Sequence, residues 1–526
     1  MCTLRTFECL VLSFSLCMAT TAQAAEEEEE SEEGEEAKAS EKPPPEAPAV
    51  QLTVTDHRAR APLAPVGPGL ELTRRDLELI PGSFGDPIRA LHSLPGVSGD
   101  TASRTSFFIR ASPAAELRVE IDGIPLRRLS HTGEVSSPFH RDLVTSLSLD
   151  AAGLPVDRPQ SLAGGLLLNY LNGPTDRLEG SVDLSLLGAS GHLAVQLGHK
   201  GRHNLVLGAR QSLLPAYLVV ADALGAFEGT VPEADSTEGF LRWSWEPKEG
   251  QRIRATLLAH RDRLLFDDVD ERYRTIGGAF DWDWSPSPTA HRSIQLAHAS
   301  HHSEEPGLAG MTPLHGDKGF DQEHRSQLRL RLAQAINPDW TGSAGAEVAV
   351  ITRRLTGQFD DWRALPHWVW RPHAAPSAGQ RAVNSTRTWG EMSIWTRLEG
   401  GRGPIHIDAG VRLDLLNRSR SPTASPQVAV SLDLSPTTRL SVRTALVHQE
   451  SNEPLLFLPE VSDWSLRPAQ ALHLDLGVAQ ELGGAGLLSA LVWSRRSTGL
   501  VVYSDEPGSP GLPSNDGWGR SWGLQG

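Results

Sequence analysis

The chain has 526 residues, with 49 Lys and Arg against 65 Asp and Glu, a formal net charge of −16 and three cysteines. All three cysteines lie at or before Cys17, which excludes a disulfide framework, a cysteine-ligated zinc site and a cysteine nucleophile in the rest of the chain. A net negative chain without a basic tract also argues against nucleic-acid binding. The length allows two to four ordinary domains, or one large barrel with a smaller domain.

Residues 1–25 are typical of a secretory signal peptide. Arg5 provides a positive start, residues 10–19 form a short apolar stretch, and Ala22-Gln23-Ala24 has the small-x-small pattern of a cleavage site. The apolar stretch is too short for a membrane-spanning helix, which needs about 20 residues. We therefore predict export from the cytoplasm and a mature chain without cysteine.

Residues 26–69 are predicted to form a disordered tether, rich in glutamate and then in proline. Eleven Glu and two Lys lie between Glu26 and Glu46, so this stretch repels itself and has little apolar surface to bury. Residues 50–55 then alternate strand-forming residues. An isolated strand-forming segment beside a tether is a candidate for adding an edge strand to the sheet of a partner protein.

Residues 70–174 alternate helix and strand signals, which predicts a compact α/β domain. Thr73, three residues before Asp76, predicts a helix cap, and Asp86 before Pro87 predicts a sharper helix start that ends at Pro95-Gly96. Strands are predicted at residues 106–110, 117–121, 143–149 and 163–168. The second of these strands ends at the turn dipeptide Asp122-Gly123.

Four segments of this domain, taken in order and spacing, resemble the plug domain of TonB-dependent outer-membrane receptors. They are residues 84–97, 108–110, 119–126 and 163–165, and the signature residues that the resemblance implies are Asp86, Pro95, Gly96, Arg110, Asp122, Gly123, Gly164 and Gly165. The family usually has glycine after the arginine of the second segment, whereas Ala111 follows here. Upstream, Leu52, Thr53, Val54 and Thr55 resemble the TonB box, which pairs with the energy-transducing protein.

Residues 175–526 show repeated alternation of apolar and polar residues in segments of about ten residues, the length of a tilted membrane-spanning strand. Residues 405–415 are the clearest case. A soluble sandwich is the alternative, but charged residues deep in the strands and tryptophan near strand ends favour a barrel in lipid. Connectors at 225–235, 303–322 and 356–384 are predicted to be outward loops, and those at 435–438 and 483–486 periplasmic turns.

The predicted fold class is therefore mainly β: a transmembrane antiparallel β-barrel with the N-terminal α/β plug inside it. About sixteen or seventeen strands are counted from the alternation, whereas the resemblance implies a barrel of twenty-two. The chain stops at Gly526, in what looks like the middle of a strand, so we expect the last five or six strands to be missing.

The sequence has few candidates for metal-binding or catalytic residues. His298, His301 and His302, close to Glu304 and Glu305, are weak candidates for binding a transition metal. Because their spacing is loose, a solvated entry to a loop is the favoured explanation. Gly-rich phosphate loops and catalytic constellations are absent from the sequence. We predict no enzyme activity and no cofactor.

The resemblance implies energy-coupled uptake across the outer membrane of a scarce, large solute such as a ferric siderophore or cobalamin. The implied partners are TonB with its inner-membrane motor, outer-membrane lipid, and a small-molecule or metal-chelate cargo. Two alternatives remain open at this stage. One is a passive porin-like barrel, which the plug signature disfavours; the other is a non-transporting truncated remnant or surface-binding protein.

Overall fold

The structure of the protein is a computed structural model that describes residues 69–526. It leaves out residues 84–85, 100–106, 114–115, 132–135, 175–176, 186–187, 199–201, 226–232, 267–268, 306–318, 360–380, 420, 452–465, 483–485 and 504–512. The predicted signal peptide at 1–25, nearly all of the tether at 26–69 and the TonB-box residues 50–55 lie outside the described residues.

The plug consists of short strands and helices between residues 69 and 170. Its elements are β1 (Gly69–Thr73), α1 (Arg74–Leu79), α2 (Pro87–Leu91), β2 (Val97–Gly99), β3 (Phe107–Ile109), β4 (Ser112–Pro113), β5 (Arg118–Ile121), β6 (Ile124–Leu126), a 3₁₀ turn (Arg141–Leu143), β7 (Val144–Asp150) and β8 (Gly165–Tyr170). A five-stranded sheet has the order β1-β7-β8-β5-β6, and β2, β3 and β4 form a second, three-stranded sheet. The β5–β8 pair is parallel, so the five-stranded sheet is mixed.

The two predicted helix starts are confirmed, and their caps explain them. The Thr73 hydroxyl accepts a hydrogen bond from the Asp76 amide, and the Asp76 carboxylate accepts one from the Thr73 amide at 2.8 Å. Asp86 Oδ1 accepts from the amides of Ile88 at 2.9 Å and Arg89 at 3.1 Å. These side chains satisfy amides that have no partner within the first turn of a helix.

The barrel is one antiparallel sheet in which every strand pairs with its neighbours in the sequence. Its elements are β9 (Leu178–Leu184), β10 (Gly188–Leu197), β11 (His203–Ser212), α3 (Leu214–Ala223), β12 (Glu233–Trp245), β13 (Gln251–Phe266), β14 (Val269–Ser287), β15 (Ala290–Glu305), β16 (Gly319–Asn337), β17 (Trp340–Phe359), β18 (Arg381–Arg402), β19 (Ile405–Leu416), β20 (Thr423–Ser435), β21 (Thr438–Gln449), β22 (Ala469–Glu481), β23 (Leu487–Tyr503) and β24 (Pro513–Gln525). The described residues thus form sixteen barrel strands, as the alternation predicted, and they do not test the expected total of twenty-two.

The barrel strands bury their charged residues and expose their apolar ones. On β16, Arg325 and Arg329 are 8% and 7% exposed, whereas Leu328 and Leu330 are 39% and 40% exposed. A soluble sandwich has the opposite arrangement, because burying unpaired charge in an apolar core is costly. The pattern is that of a barrel with a polar interior and a lipid-facing exterior. None of the helices in the described ranges is long and apolar enough to cross a membrane.

Connectors fall at alternate ends of the barrel because successive strands are antiparallel. The last residues of β11, β15 and β17 lie at one end, which we name the long-loop end; residues 436–437, between β20 and β21, lie at the other, the short-turn end. Near the short-turn end, Trp282 and Trp284 stack at 4.7 Å between ring centroids. Both side chains are on the exterior, where a membrane protein carries an aromatic girdle at the lipid–water boundary.

Candidate functional site

Charged residues hold the plug against the inner wall of the barrel, and we name this contact region the plug–barrel interface. The pairs are Arg110–Asp475 at 2.9 Å, Arg127–Asp321 at 3.1 Å, Arg443–Asp150 at 3.1 Å, Arg495–Glu116 at 2.8 Å, and Arg242–Asp122. The barrel partners lie on β12, β16, β21, β22 and β23. The plug is therefore contacted from several sides of the barrel.

Asp86 joins two parts of the plug. One of its carboxylate oxygens caps α2, and the other accepts a hydrogen bond from the Ser137 amide at 2.6 Å. After α2, the chain turns at Pro95-Gly96, where Gly96 has φ 80° and its carbonyl accepts from the Arg110 amide at 2.8 Å. The first two signature segments are thus linked by backbone hydrogen bonding.

Arg110 and Ala111 form a turn in the left-handed region, with φ of 50° and 63°. Alanine at the position where the family usually has glycine therefore keeps the turn, although a Cβ atom is disfavoured in this conformation. The turn directs the Arg110 guanidinium to Asp475, with side chains 3% and 2% exposed. The same guanidinium lies 5.2 Å from the centre of the Trp493 ring.

Asp122 and Gly123 form the tight turn between β5 and β6. Both have positive φ, 50° and 82°, as the two central residues of a type I′ hairpin turn require. Two barrel side chains bind this turn. Gln295 donates a hydrogen bond to the Asp122 carbonyl at 3.0 Å, and Gln327 donates one to the Gly123 carbonyl at 2.9 Å. The signature turn is therefore both a hairpin and a contact with β15 and β16.

Gly164 and Gly165 begin β8 where the plug backbone is crowded. Gly164 has φ 85°, and a Cβ atom there would lie 1.8 Å from the carbonyl oxygen of Asp150. A Cβ on Gly165 would lie 2.3 Å from the side chain of Leu154. Close approach of neighbouring groups, in addition to backbone conformation at Gly164, explains why glycine stands at both positions.

Glu120, in the centre of β5, is the most enclosed carboxylate of the plug–barrel interface. It is 1% exposed, and it accepts from Arg118 at 3.2 Å, from Arg158 at 2.7 Å and from the barrel residue Arg329 at 3.4 Å. Burial by itself raises the pKa of Glu120, but the three guanidiniums outweigh burial and hold that pKa well below its usual range. Glu347 on β17 accepts from Arg329 at 2.8 Å and extends the network into the barrel wall.

His131 makes a second buried contact, nearer the long-loop end. Its Nδ1 lies 2.6 Å from Asp262 Oδ1 and its Nε2 lies 2.7 Å from Glu238 Oε1, so one plug side chain contacts two barrel strands. Burial lowers the pKa of His131, but Asp262 and Glu238 outweigh burial and raise it to about 9. The imidazole is therefore a cation held between two carboxylates at neutral pH.

The three candidate metal-binding histidines on β15 do not form one cluster. His301 is buried on the inner face and lies 2.9 Å from Thr275 Oγ1, whereas His298 and His302 lie on the outer face because the pleat alternates. His298 contacts Ser326 at 2.8 Å, and His302 contacts Glu304 at 3.1 Å. Within the described ranges, no group of three or more His, Cys, Asp or Glu side chains could hold a metal ion.

Glu120 and His131 are the residues that the sequence reasoning missed. Glu120 had a detectable signal, an acidic residue between Val119 and Ile121 in a strand that was predicted to be buried. His131 had none, because Glu238 and Asp262 are more than a hundred residues away in the sequence.

Comparisons with known proteins give a match in structure. No family model and no curated sequence matches the chain. Crystal structures of the ferric enterobactin receptor PfeA from Pseudomonas aeruginosa, in complex with enterobactin, and of the siderophore receptor PirA from Acinetobacter baumannii superpose with TM-scores of 0.66 and 0.65. Each is 12% identical, and the match covers 88% of this chain and 78% and 77% of theirs. The copper transporter OprC has a TM-score of 0.61 at 15% identity, over 88% of this chain and 78% of its own.

A plug enclosed by an antiparallel barrel with a polar interior defines the class of outer-membrane receptors and transporters. The similar structures reported above are those of two siderophore receptors and a copper transporter. The chain has the fold of TonB-dependent outer-membrane receptors.

Proposed function

We propose that this protein is a TonB-dependent receptor of the outer membrane, exported by residues 1–25, that captures a scarce solute outside the cell and admits it by rearrangement of the plug. TonB would pull on residues 50–55 from the periplasm. The observation that carries the proposal is the series of buried and half-buried ion pairs between the plug and the barrel wall, from Asp122–Arg242 on β12 to Glu116–Arg495 on β23.

Those ion pairs argue against a passive porin. A porin needs an open, water-filled lumen, whereas the described plug contacts barrel strands on several sides of the interior. A plug that never moves would need no ion pairs with the barrel wall. An apolar interface of similar size would be enough to keep such a barrel closed. A charged interface suits movement, because water can replace each partner when the pair separates, and the net free energy of an ion pair is small.

The cargo that we propose is a metal chelate, with a ferric siderophore as the first candidate and cobalamin as the second. The support is likeness in fold to a ferric enterobactin receptor, a siderophore receptor and a copper transporter. Uptake of such complexes is measurable directly with radiolabelled iron or cobalt.

Deletion of residues 50–55 tests the proposal. We expect the deletion to abolish energised uptake and to leave cargo binding to whole cells unchanged, because the segment lies far in sequence from the plug–barrel interface. Deletion of residues 28–33, six residues of the acidic tether, is the matched control and should leave both intact. Uptake that survives the first deletion would contradict the TonB-box assignment, and binding without uptake in the unaltered protein would support a surface-binding protein instead.

A further inference from the structure

A small cavity lies between the plug and the barrel wall. Its volume is about 20 Å³, enough for one water molecule. The plug contributes His140 and Tyr170 to the lining, and the barrel contributes Glu238 and Phe240 of β12 and Leu258 of β13. All five side chains are buried, so the polar atoms among them depend on partners inside the protein.

Glu238 has one carboxylate oxygen with a full set of partners and one with none. Its Oε1 lies 2.7 Å from His131 Nε2 and accepts a hydrogen bond from Arg210 at 3.2 Å. Its Oε2 is buried and has no hydrogen-bond partner among the described residues. A buried carboxylate oxygen without a donor is costly, so an occupant of the cavity that donates to Oε2 would be bound favourably.

His140 presents a second acceptor without a partner. Its Nε2 lies 3.2 Å from the carbonyl oxygens of both Gly191 and Ala209, and therefore carries the hydrogen. Burial lowers the pKa of His140 below its ordinary value of 6.5, so the imidazole is neutral at neutral pH and Nδ1 keeps its lone pair. This Nδ1 is buried and has no hydrogen-bond partner in the described part of the chain.

Tyr170 presents the complementary group, a donor. Its hydroxyl oxygen accepts a hydrogen bond from the His140 amide at 3.1 Å. The hydroxyl proton has no acceptor among the residues that the structure describes. A tyrosine hydroxyl both donates and accepts, so half of its capacity remains for an occupant of the cavity.

We propose that one buried water molecule occupies this cavity and joins the plug to β12. The three groups without partners are two acceptors and one donor. A water molecule satisfies all three at once, because it donates two hydrogens, here to Glu238 Oε2 and His140 Nδ1, and accepts one from Tyr170. This water site depends on neither the cargo nor TonB.

A monovalent cation fits the cavity less well than water. Ammonium only donates hydrogen bonds, so it would leave the proton of the Tyr170 hydroxyl without an acceptor. The Glu238 carboxylate also faces two positive groups already, His131 and Arg210, which would repel a further cation. The donors and acceptors and the local charge therefore both favour a neutral occupant.

The experiment is a crystal structure of the full chain in detergent, at a resolution that shows ordered water. We expect one electron-density peak in the cavity, at about 2.7–3.2 Å from Glu238 Oε2, His140 Nδ1 and the Tyr170 hydroxyl oxygen. The same crystals grown in rubidium chloride should give no anomalous peak at this position.

The variant Tyr170→Phe keeps the ring and removes the donor. We expect the peak in the cavity to weaken or disappear, because the water then keeps only its two acceptors. Tyr273→Phe is the matched control: Tyr273 is also a buried tyrosine, its hydroxyl lies 3.3 Å from His301 Nδ1, and it does not line the cavity. The control should keep the peak at full strength.

Three results would overturn the water site. The first is an empty cavity in the unaltered protein, a result that does not depend on whether any variant folds. The second is a peak of undiminished strength in Tyr170→Phe. The third is an anomalous rubidium peak, or contacts shorter than about 2.5 Å, either of which would assign the cavity to a cation.

Discussion

The contact of His131 with Asp262 and Glu238 makes the stability of the plug depend on pH. The ordinary pKa of histidine, 6.5, applies in the unfolded plug, and the folded pKa is about 9. This difference corresponds to about 3 kcal/mol, at about 1.4 kcal/mol for each pH unit. His131 is 4% exposed, so solvent screens the interaction little.

The sign follows from the direction of the shift. Because the folded pKa is raised, the stabilisation is fully present below pH 6.5 and is lost as the pH rises to about 9. We expect the free energy of unfolding of the plug to fall by about 3 kcal/mol across this window. The variant His131→Gln should lack this fall, because glutamine does not titrate.

The assay is urea unfolding in detergent micelles, followed by a fluorophore on the plug. All fourteen tryptophans lie outside the plug, and the mature chain is predicted to have no cysteine, so Leu79→Cys, at an exposed position of α1, provides a unique labelling site. His406→Gln, which changes a half-exposed histidine on β19, is the matched control and should keep the full pH dependence. Parallel profiles for the unaltered protein and His131→Gln between pH 6.5 and 9 would refute the reasoning.

Three further substitutions test the plug and its contact with the barrel by the same urea unfolding. Ala111→Gly should stabilise the plug by about 1 kcal/mol, because φ 63° is unfavourable for alanine; no gain would show that the turn is unstrained. Gly164→Ala should destabilise it by more than about 2 kcal/mol, because the new Cβ would lie 1.8 Å from the carbonyl oxygen of Asp150; normal stability would contradict the crowding. Asp475→Ala should cost about 3–5 kcal/mol by leaving the buried Arg110 without its carboxylate, and the combination of Arg110→Met with Asp475→Leu should restore most of it. If the double variant were as unstable as Asp475→Ala, the loss of stability would come from lost packing and not from the unpaired charge of Arg110.

Local features of the chain could be predicted because their causes are local. The caps of α1 and α2 depend on residues two or three positions apart, and the turn at Asp122-Gly123 depends on a dipeptide that tolerates positive φ. Alternation over residues 405–415 sufficed to predict β19, because side chains on a strand point to opposite faces. The strand count followed from the same rule.

The partners of the charged residues could not be predicted, because each pair joins positions that only the folded plug and barrel bring together. Arg110 and Asp475 are 365 residues apart, and the sequence has no feature that matches one with the other. The three histidines at 298–302 show the same limit. Neighbours in the sequence, they are divided by the pleat between the lumen and the exterior, so a cluster that looked suited to one metal ion contributes to two different surfaces.

By itself, the sequence determined the class of fold, because the period of apolar residues and the order of the plug signatures are properties of the linear chain. The tertiary structure alone decided which charges meet at the plug–barrel interface and which polar side chains face the exterior of the barrel. Both depend on strand register, and a shift by one residue would exchange the two faces of every strand.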